Sequence, residues 1–487
     1  MVLHDFSQFS YRNNKITYGI YVLMLSLSLF VTIYVIGYTP PMEGTELYFT
    51  LPLTFFIGLL SFRHIFPYHE GGMGLKVFFT ICMVRYVFMP FFTCYVGTFA
   101  RSFSSYAFSY AIIIQDIELL TCFISIHYFF PRQYHRIYAK ELFKSSSVED
   151  VSIGGVFVIG IALLAIIIRG TANLASSLRF FIVTDKLSQE DYGGYDRWMA
   201  QTMLAFFVVT ITSFFQKRNY KKNNILNIIP PLIISFLSCA MVFGNNRMMM
   251  VYFALSAISI LNVSFPRHRK GLTIVMATIM AIVLLSFTMV KQYSVNISEG
   301  ETAYVENTGL ATTLSEYVPG TEAIAKVYDR YLHNGYEMQL MTPFAEFIDK
   351  TPIFHLPRMP MTGWVKGVSL SYRLAQEGGE VIPFAGQTLY YGGYAFGWIF
   401  DIICLGIVML LLVKLDIYSK LETNLGNRYL STWTSITCGM ALCYNPSIIY
   451  NAFAYVPFFL WVALMINRHV VMSTFTKTKR LFRFNRL

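Results

Sequence analysis

The sequence predicts an all-α polytopic membrane protein with about twelve transmembrane helices and one large extracytoplasmic loop that contains short helices. Three features of the sequence support this fold class, and the first two are compositional. Of the 487 residues, 55% are hydrophobic and only 13% are charged, whereas soluble domains carry about 25% charged residues. The third feature is a series of apolar runs about 20 residues long, which is the length a helix needs to cross a bilayer.

The apolar runs follow one another along the whole chain, so residues 1–487 are predicted to form a single integral membrane domain. Helices are the expected form of each run because backbone polar groups cannot be left unpaired in lipid. Residues 1–16 are polar and lead into the first run without a small-residue cleavage pattern, which indicates a retained first helix. The runs lie near 16–38, 47–62, 75–97, 106–130, 152–168, 198–215, 224–243, 248–263, 272–290, 395–413, 429–446 and 449–466.

The distribution of Lys and Arg predicts the orientation. With the N-terminus in the cytoplasm, the cytoplasmic segments hold 24 Lys/Arg, and the longer opposite segments hold 13. Positive residues favour the cytoplasmic side, so both termini are expected there and the polar segment Lys291–Tyr394 is expected outside. The formal net charge of +11 follows from this topology and requires no nucleic-acid partner.

The cysteines indicate neither a disulfide framework nor a metal site. All seven lie in or beside apolar runs, and none lies in the segment Lys291–Tyr394. The sequence has no Cys/His spacing typical of a metal centre and no nucleotide-binding motif. No cofactor is therefore expected.

The long loop, Lys291–Tyr394, has the composition of a folded functional segment. It holds seven Lys/Arg and eleven Asp/Glu, yet Thr351–Gln376 contains Arg358, Lys366, Arg373 and His355 and no acid. Such a basic island is suited to an anionic ligand such as a phosphate, although a solvated surface would explain the charges equally well. Two short helices are predicted, at Glu322–Leu332, which is amphipathic, and at Pro343–Ile353.

Three charged residues fall inside apolar runs. Arg85 lies midway along its run, and Asp116 and Glu118 lie at a matching depth in the next. Because an unpaired charge in the bilayer is costly, we expect Arg85 to pair with one of the two acids. This predicts either a buried ion pair that fixes helix packing or a site that opens to a water-filled cavity.

A fourth charged residue, Arg247, follows the turn-forming sequence Gly244-Asn245-Asn246 at the predicted outer face. An arginine beside a helix N-terminus forms a suitable phosphate site. The alternative is a snorkelling anchor at the membrane interface.

These features resemble the Wzy-type polymerases of O-antigen, capsule and exopolysaccharide repeat units, which are related to the O-antigen ligases. The resemblance covers most of the chain. It includes the number of predicted helices, one large outer loop toward the C-terminal end of the sequence, and Arg247 at the start of a helix after a glycine turn. Its most specific part is Ile382-Pro383 followed by Gly386-Gln387, Tyr390, Gly393 and Gly397, which is similar to the family's passage from the loop into the next helix.

The resemblance implies inverting glycosyl transfer at the outer face of the bacterial cytoplasmic membrane, without nucleotide sugar or metal. Growing glycan on undecaprenyl pyrophosphate would be the donor and a lipid-linked repeat unit the acceptor. Membrane lipids, chain-length regulators and flippases are the other candidate partners. A ligase or a lipid-linked oligosaccharide flippase is the alternative. Candidate residues are His355, Glu380, Glu377 and Glu118 as general base, Arg247, Arg358 and Arg373 for the pyrophosphate, and Gln387, Tyr390 and Tyr391 for the sugar.

Overall fold

The computed structural model describes residues 15–63, 72–97, 99, 104–142, 156, 159–164, 195–222, 225–240, 248–282, 318–334 and 383–469. Within these ranges the regular structure is helical and contains no strand. The principal helices are α1 (Lys15–Tyr38), α2 (Thr50–Ser61), α3 (Met73–Met83), α4 (Met89–Val96), α5 (Ser105–Leu142), α6 (Tyr195–Lys222), α7 (Ile229–Ala240), α8 (Met248–Ser264), α9 (269–282), α10 (Thr321–Asn334), α11 (Phe384–Leu421), α12 (Leu425–Gly439), α13 (Pro446–Ala454) and α14 (456–469).

Several of these helices are long and apolar enough to cross a membrane, so the chain is a helical membrane protein. Six such spans occur among the described residues, and α8 and α9 make a seventh if they count as one span bent by 119°. The six are Tyr18–Tyr38, Met73–Val96, Ser105–Ile137, Met199–Arg218, Tyr391–Leu421 and Ile448–His469.

The described residues do not match the predicted count of about twelve spans. The runs near 47–62 and 224–243 form α2 and α7, which have 12 residues each. Such helices are about 18 Å long, shorter than the hydrocarbon core of about 30 Å. The run near 429–446 is interrupted, because α12 ends at Gly439 and a 3₁₀ turn, Ala441–Cys443, follows. The runs near 152–168 and 272–290 lie partly outside the described residues.

The chain divides into two compact units, each built from separate stretches of sequence. The first comprises Met1–Lys140, Val305–Ile417 and Ser435–Ala452, and the second comprises Glu141–Tyr304, Tyr418–Thr434 and Phe453–Leu487. In the second unit, α6, α7 and α8 pack on one another. Its core includes Trp433, whose ring centroid lies 5.3 Å from that of Tyr252 and 4.9 Å from that of Phe253.

In the first unit, a π-helical turn at Val84–Phe88 joins α3 to α4. The sequence explains this turn, because Pro90 follows it at the start of α4. Proline has no N–H group, and its ring collides with the carbonyl group four residues earlier, so the regular hydrogen-bond ladder cannot continue through this point. The wider π turn accommodates the proline and carries Arg85 at its second position.

The N-terminal end of α3 is capped by a carboxylate from α11. Asp416 accepts hydrogen bonds from the backbone N–H groups of Gly72, at 2.5 Å, and Gly74, at 2.7 Å. The glycines allow close approach here: a Cβ atom on Gly74 would lie 2.6 Å from the carbonyl oxygen of Ser435, and one on Gly439 would lie 2.4 Å from that of Gly74. Asp416 therefore offsets the free N–H groups and the positive end of α3.

A labelling experiment tests the predicted orientation of the loop. His333 lies in the last turn of α10, and 71% of its side chain is exposed. We expect His333→Cys to react with a membrane-impermeant maleimide added to the outside of intact cells, because the charge distribution predicts that 291–394 is outside. Of the seven native cysteines, six are buried and Cys404 is half-buried, so the parent protein is the control. Labelling only after the cytoplasm is opened would contradict the orientation.

Candidate functional site

The candidate site lies in the first unit, where two parts of the predicted loop reach into the helix bundle. Residues 318–321, which lead into α10, are buried, as are residues 383–389, which begin α11. Thr321 contacts Gln115 of α5, and the backbone N–H of Ala385 donates to Glu118 of α5 at 3.2 Å. The N-terminal ends of α10 and α11 therefore meet neighbouring turns of the same helix.

Arg85 occupies the centre of this region, and each of its three guanidinium nitrogens donates a hydrogen bond. Its Nη2 lies 2.9 Å from Glu118 Oε2, and its Nη1 donates to the carbonyl oxygen of Leu442 at 2.8 Å. The side-chain oxygen of Gln115 accepts from Arg85 Nε at 3.0 Å and Nη2 at 3.2 Å, while its nitrogen donates to Thr321 Oγ1 at 2.7 Å. The guanidinium group thus joins α5 to the 3₁₀ turn 441–443 and, through Gln115, to α10.

The predicted ion pair is present, and Glu118 is its acidic member. The side chains of Arg85 and Glu118 are both inaccessible to solvent. Both carboxylate oxygens of Glu118 accept hydrogen bonds, one from Arg85 and one from Ala385. This arrangement favours the structural interpretation of the pair over a role for Glu118 as a general base, because a base needs a free oxygen that can reach its substrate.

Asp116, the other acid considered for this pair, takes part in a different contact. It accepts a hydrogen bond from Thr50 Oγ1 of α2 at 2.6 Å. Residues two apart on a helix do not share a face, so Asp116 and Glu118 are directed to different neighbours of α5. Asp116 therefore links α5 to α2.

Asp401 of α11 is a buried acid that the sequence analysis did not single out. Its Oδ1 accepts from Thr388 Oγ1 at 3.1 Å, and its Oδ2 has no hydrogen-bond partner among the described residues. It lies close enough to Glu118 and Arg85 to interact electrostatically with both. Its position inside the apolar run 395–413 is the signal that could have identified it, since a charge at such a place is usually functional or paired.

The contact between Thr388 and Asp401 brings together two parts of α11 that are 13 residues apart in sequence. This is possible because α11 is broken at Gly393, whose φ of 64° and ψ of −173° are not helical. A Cβ atom on the neighbouring Gly392 would lie 2.7 Å from the backbone nitrogen of Gly397. The segment 384–421 is therefore a helical hairpin with its tip at Gly393.

The first arm of the hairpin carries the residues predicted to bind sugar. Gln387 Nε2 donates to Tyr391 Oη at 2.7 Å, and both side chains are buried. Tyr390 lies in the same arm, but its side chain is outside what the structure describes. The structure thus places Gln387 and Tyr391 together, inside the first unit.

Beside the tip of the hairpin, four tyrosines form a cluster. Tyr106 and Tyr110 come from α5, Tyr328 from α10 and Tyr394 from α11. The rings of Tyr110 and Tyr328 stack with centroids 3.9 Å apart, and the hydroxyls of Tyr106 and Tyr394 are hydrogen-bonded at 2.6 Å. Sequence reasoning missed this cluster because its members are far apart in the chain and each alone resembles an interfacial tyrosine.

The remaining predicted site residues lie outside the described part of the chain. Their assignment to a pyrophosphate site or to general-base catalysis stays a prediction. They are Arg247, His355, Arg358, Arg373, Glu377 and Glu380.

Comparisons of the chain with family models, with curated proteins and with solved structures found no match. Among the described residues, no group of three or more His, Cys, Asp or Glu side chains could hold a metal ion.

Proposed function

We propose that the chain is a Wzy-type glycosyltransferase that polymerises oligosaccharide repeat units linked to undecaprenyl pyrophosphate. The reaction takes place at the outer face of the bacterial cytoplasmic membrane, and both termini lie in the cytoplasm. No nucleotide sugar or metal takes part. This proposal rests on the sequence resemblance and on the arrangement of the first unit.

The observation that carries the proposal is the attachment of the loop to the bundle at both of its described parts. The start of α10 contacts Gln115, and the start of α11 contacts Glu118, three residues further along α5. Both described parts of the segment are therefore anchored to α5 inside the first unit. This anchoring supports the proposal, because an enzyme that acts on a lipid-linked sugar needs its outer segment attached to the helices that contact the lipid.

The chemistry assigns separate roles to the charged residues. The acceptor hydroxyl oxygen forms a bond to the anomeric carbon of the donor, on the face opposite the leaving group. The bond from that carbon to the lipid pyrophosphate breaks, and a base takes the hydroxyl proton. Arg247, Arg358 and Arg373 stabilise the negative charge that develops on the pyrophosphate. Arg85 has no part in this step, because it is inaccessible to solvent and its nitrogens donate to Glu118, Gln115 and Leu442.

Deletion of the gene in its host tests the proposal. The surface and lipid-linked glycans of the deletion strain are separated by size, and the strain complemented with the wild-type gene is the control. We expect single repeat units in place of long chains. Loss of all surface glycan with full-length lipid-linked polymer would instead identify a ligase. Loss of surface glycan with repeat units retained on the cytoplasmic side would identify a flippase.

Three alanine substitutions test the pyrophosphate site. Arg247→Ala, Arg358→Ala and Arg373→Ala are each expected to slow polymerisation by about ten- to several-hundred-fold, because each removes a contact that strengthens in the transition state. The readout is glycan chain length at equal protein levels in the membrane. Lysine at the same positions is expected to restore little activity, because it cannot hold two phosphate oxygens in a fork. Full-length polymer from all three alanine variants would contradict the assignment.

A further inference from the structure

The tyrosine cluster has an inner layer and an exposed outer layer. Tyr328 is buried and stacks on Tyr110, with ring planes 13° apart. The Tyr394 centroid lies 5.9 Å from that of Tyr328, and the Tyr106 centroid also lies 5.9 Å from it. Tyr106 and Tyr394 are 54% and 49% exposed. Buried Tyr328 and half-buried Tyr110 therefore hold two outer rings in place, and these rings offer both aromatic surface and hydroxyls.

The outer hydroxyls keep hydrogen-bonding capacity after they bond to each other. A phenol has one donor and two acceptor positions. In the pair formed by Tyr106 and Tyr394 at 2.6 Å, one hydroxyl donates and the other accepts. One O–H group and several lone pairs are thus left for a ligand. Burial raises the pKa of Tyr328, so the phenol at the base of the cluster stays neutral at physiological pH.

A carboxylate lies next to the cluster. Asp329 follows Tyr328 in α10, and its Oδ1 accepts a hydrogen bond from Ser104 at 2.7 Å. Ser104 directly precedes α5, the helix that carries Tyr106 and Tyr110, so this contact fixes the carboxylate at the start of that helix. The side chain of Asp329 is 27% exposed, and its oxygens can accept hydrogen bonds from ligand hydroxyls.

We propose that Tyr106, Tyr394, Tyr328 and Tyr110, with Asp329 at their edge, form a glycan-binding platform that holds a pyranose ring of the substrate. The proposal deepens the proposed function, on which it rests, by naming a sugar subsite at the start of α5. A pyranose matches the platform because it presents C–H groups on its faces, which pack on aromatic rings, and hydroxyls around its edge. A lipid tail would match the rings but could not use the hydrogen-bonding capacity that the two phenols and the carboxylate keep.

Tyr95 is a tyrosine at the end of a span that lies outside the cluster. Tyr95, near the end of α4, is 71% exposed and contacts the ring of Phe91, one turn earlier on the same helix. It therefore serves as the matched control, because it is a tyrosine at the end of a span but is not part of the cluster.

Binding is measured apart from catalysis. The full-length protein is placed in lipid nanodiscs and titrated with oligosaccharide released by mild acid from the host's own surface polysaccharide. Saturation-transfer NMR, with the aromatic protons saturated, reports contact between sugar C–H groups and the rings. We expect transfer to the wild type and binding about five- to ten-fold weaker for Tyr106→Ala and for Tyr394→Ala, as for the loss of one aromatic contact. Tyr95→Ala should bind as the wild type does, and Tyr394→Phe should lose less than Tyr394→Ala because it keeps the ring.

The possible outcomes separate the platform from the proposed function. Equal binding by the wild type and both alanine variants, or loss of binding in Tyr95→Ala to the same extent, would overturn the platform. Absence of binding by the wild type, in a host whose deletion strain makes only single repeat units, would overturn the platform and leave the polymerase proposal standing. Platform-dependent binding in a host whose deletion strain keeps long chains would support the platform as a glycan site and overturn the polymerase proposal.

Discussion

Replacement of Arg85 with alanine is expected to destabilise the protein by about 3–5 kcal/mol, the usual cost of leaving one member of a buried ion pair without its partner. The substitution leaves the Glu118 carboxylate buried with only the Ala385 N–H as donor, and it also frees the carbonyl group of Leu442. The measurements are the apparent Tm and the yield of monodisperse protein in detergent. Both should fall sharply for Arg85→Ala.

Two further variants make this result specific to the ion pair. Arg132 lies on the exposed surface of α5, where it covers the ring of Tyr128, and Arg132→Ala should change the Tm little. The double variant Arg85→Met with Glu118→Gln removes both charges and should recover much of the loss. A Tm for Arg85→Ala equal to that of the wild type, or no recovery in the double variant, would contradict the pairing as the source of stability.

Replacement of Gly393 with alanine is expected to have the second-largest effect. At a φ of 64° and a ψ of −173°, the backbone adopts a conformation that costs a residue with a side chain about 1–3 kcal/mol. The strain acts at the tip of the hairpin that brings Thr388 to Asp401 and Tyr394 to the tyrosine cluster. We therefore expect a lower Tm together with shorter glycan chains in a complemented deletion strain.

Another glycine of the same helix provides the control for this variant. A Cβ atom on Gly406 would have Ser125 Oγ as its nearest neighbour, at 3.9 Å, which is ordinary van der Waals contact. Gly406→Ala should therefore leave both the Tm and the chain length unchanged or slightly raise the Tm. Wild-type behaviour of Gly393→Ala would show that the hairpin does not need this backbone conformation.

The features that the sequence predicted correctly depend on local pattern or on the cost of charge in lipid. The cost of an unpaired charge and the matching depths predict that Arg85 pairs with Asp116 or Glu118, and the structure shows that the partner is Glu118. The amphipathic helix predicted at Glu322–Leu332 is present as α10, because its apolar residues recur at helical spacing.

The features that the sequence did not predict depend on packing between distant segments. Hydropathy cannot distinguish a spanning helix from a short buried one, so α2 and α7 were interpreted as spans. The sequence does not predict the hairpin, because the resemblance places Gly393 only in a passage from the loop into the next helix. The tyrosine cluster joins Tyr106 to Tyr328 and Tyr394, which are more than 200 residues away in sequence. No local sequence pattern predicts contacts between residues so far apart.

The most direct test of the proposed polymerase is a reaction with purified components. The protein is reconstituted into vesicles with lipid-linked repeat units isolated from the host, without nucleotide sugar and with a chelator present, and the products are separated by size. The account predicts a ladder of lipid-linked products that increase by one repeat unit, and a much weaker ladder for Arg358→Ala. Repeat units that remain single in the presence of folded protein, or a ladder that forms only after a nucleotide sugar is added, would contradict it.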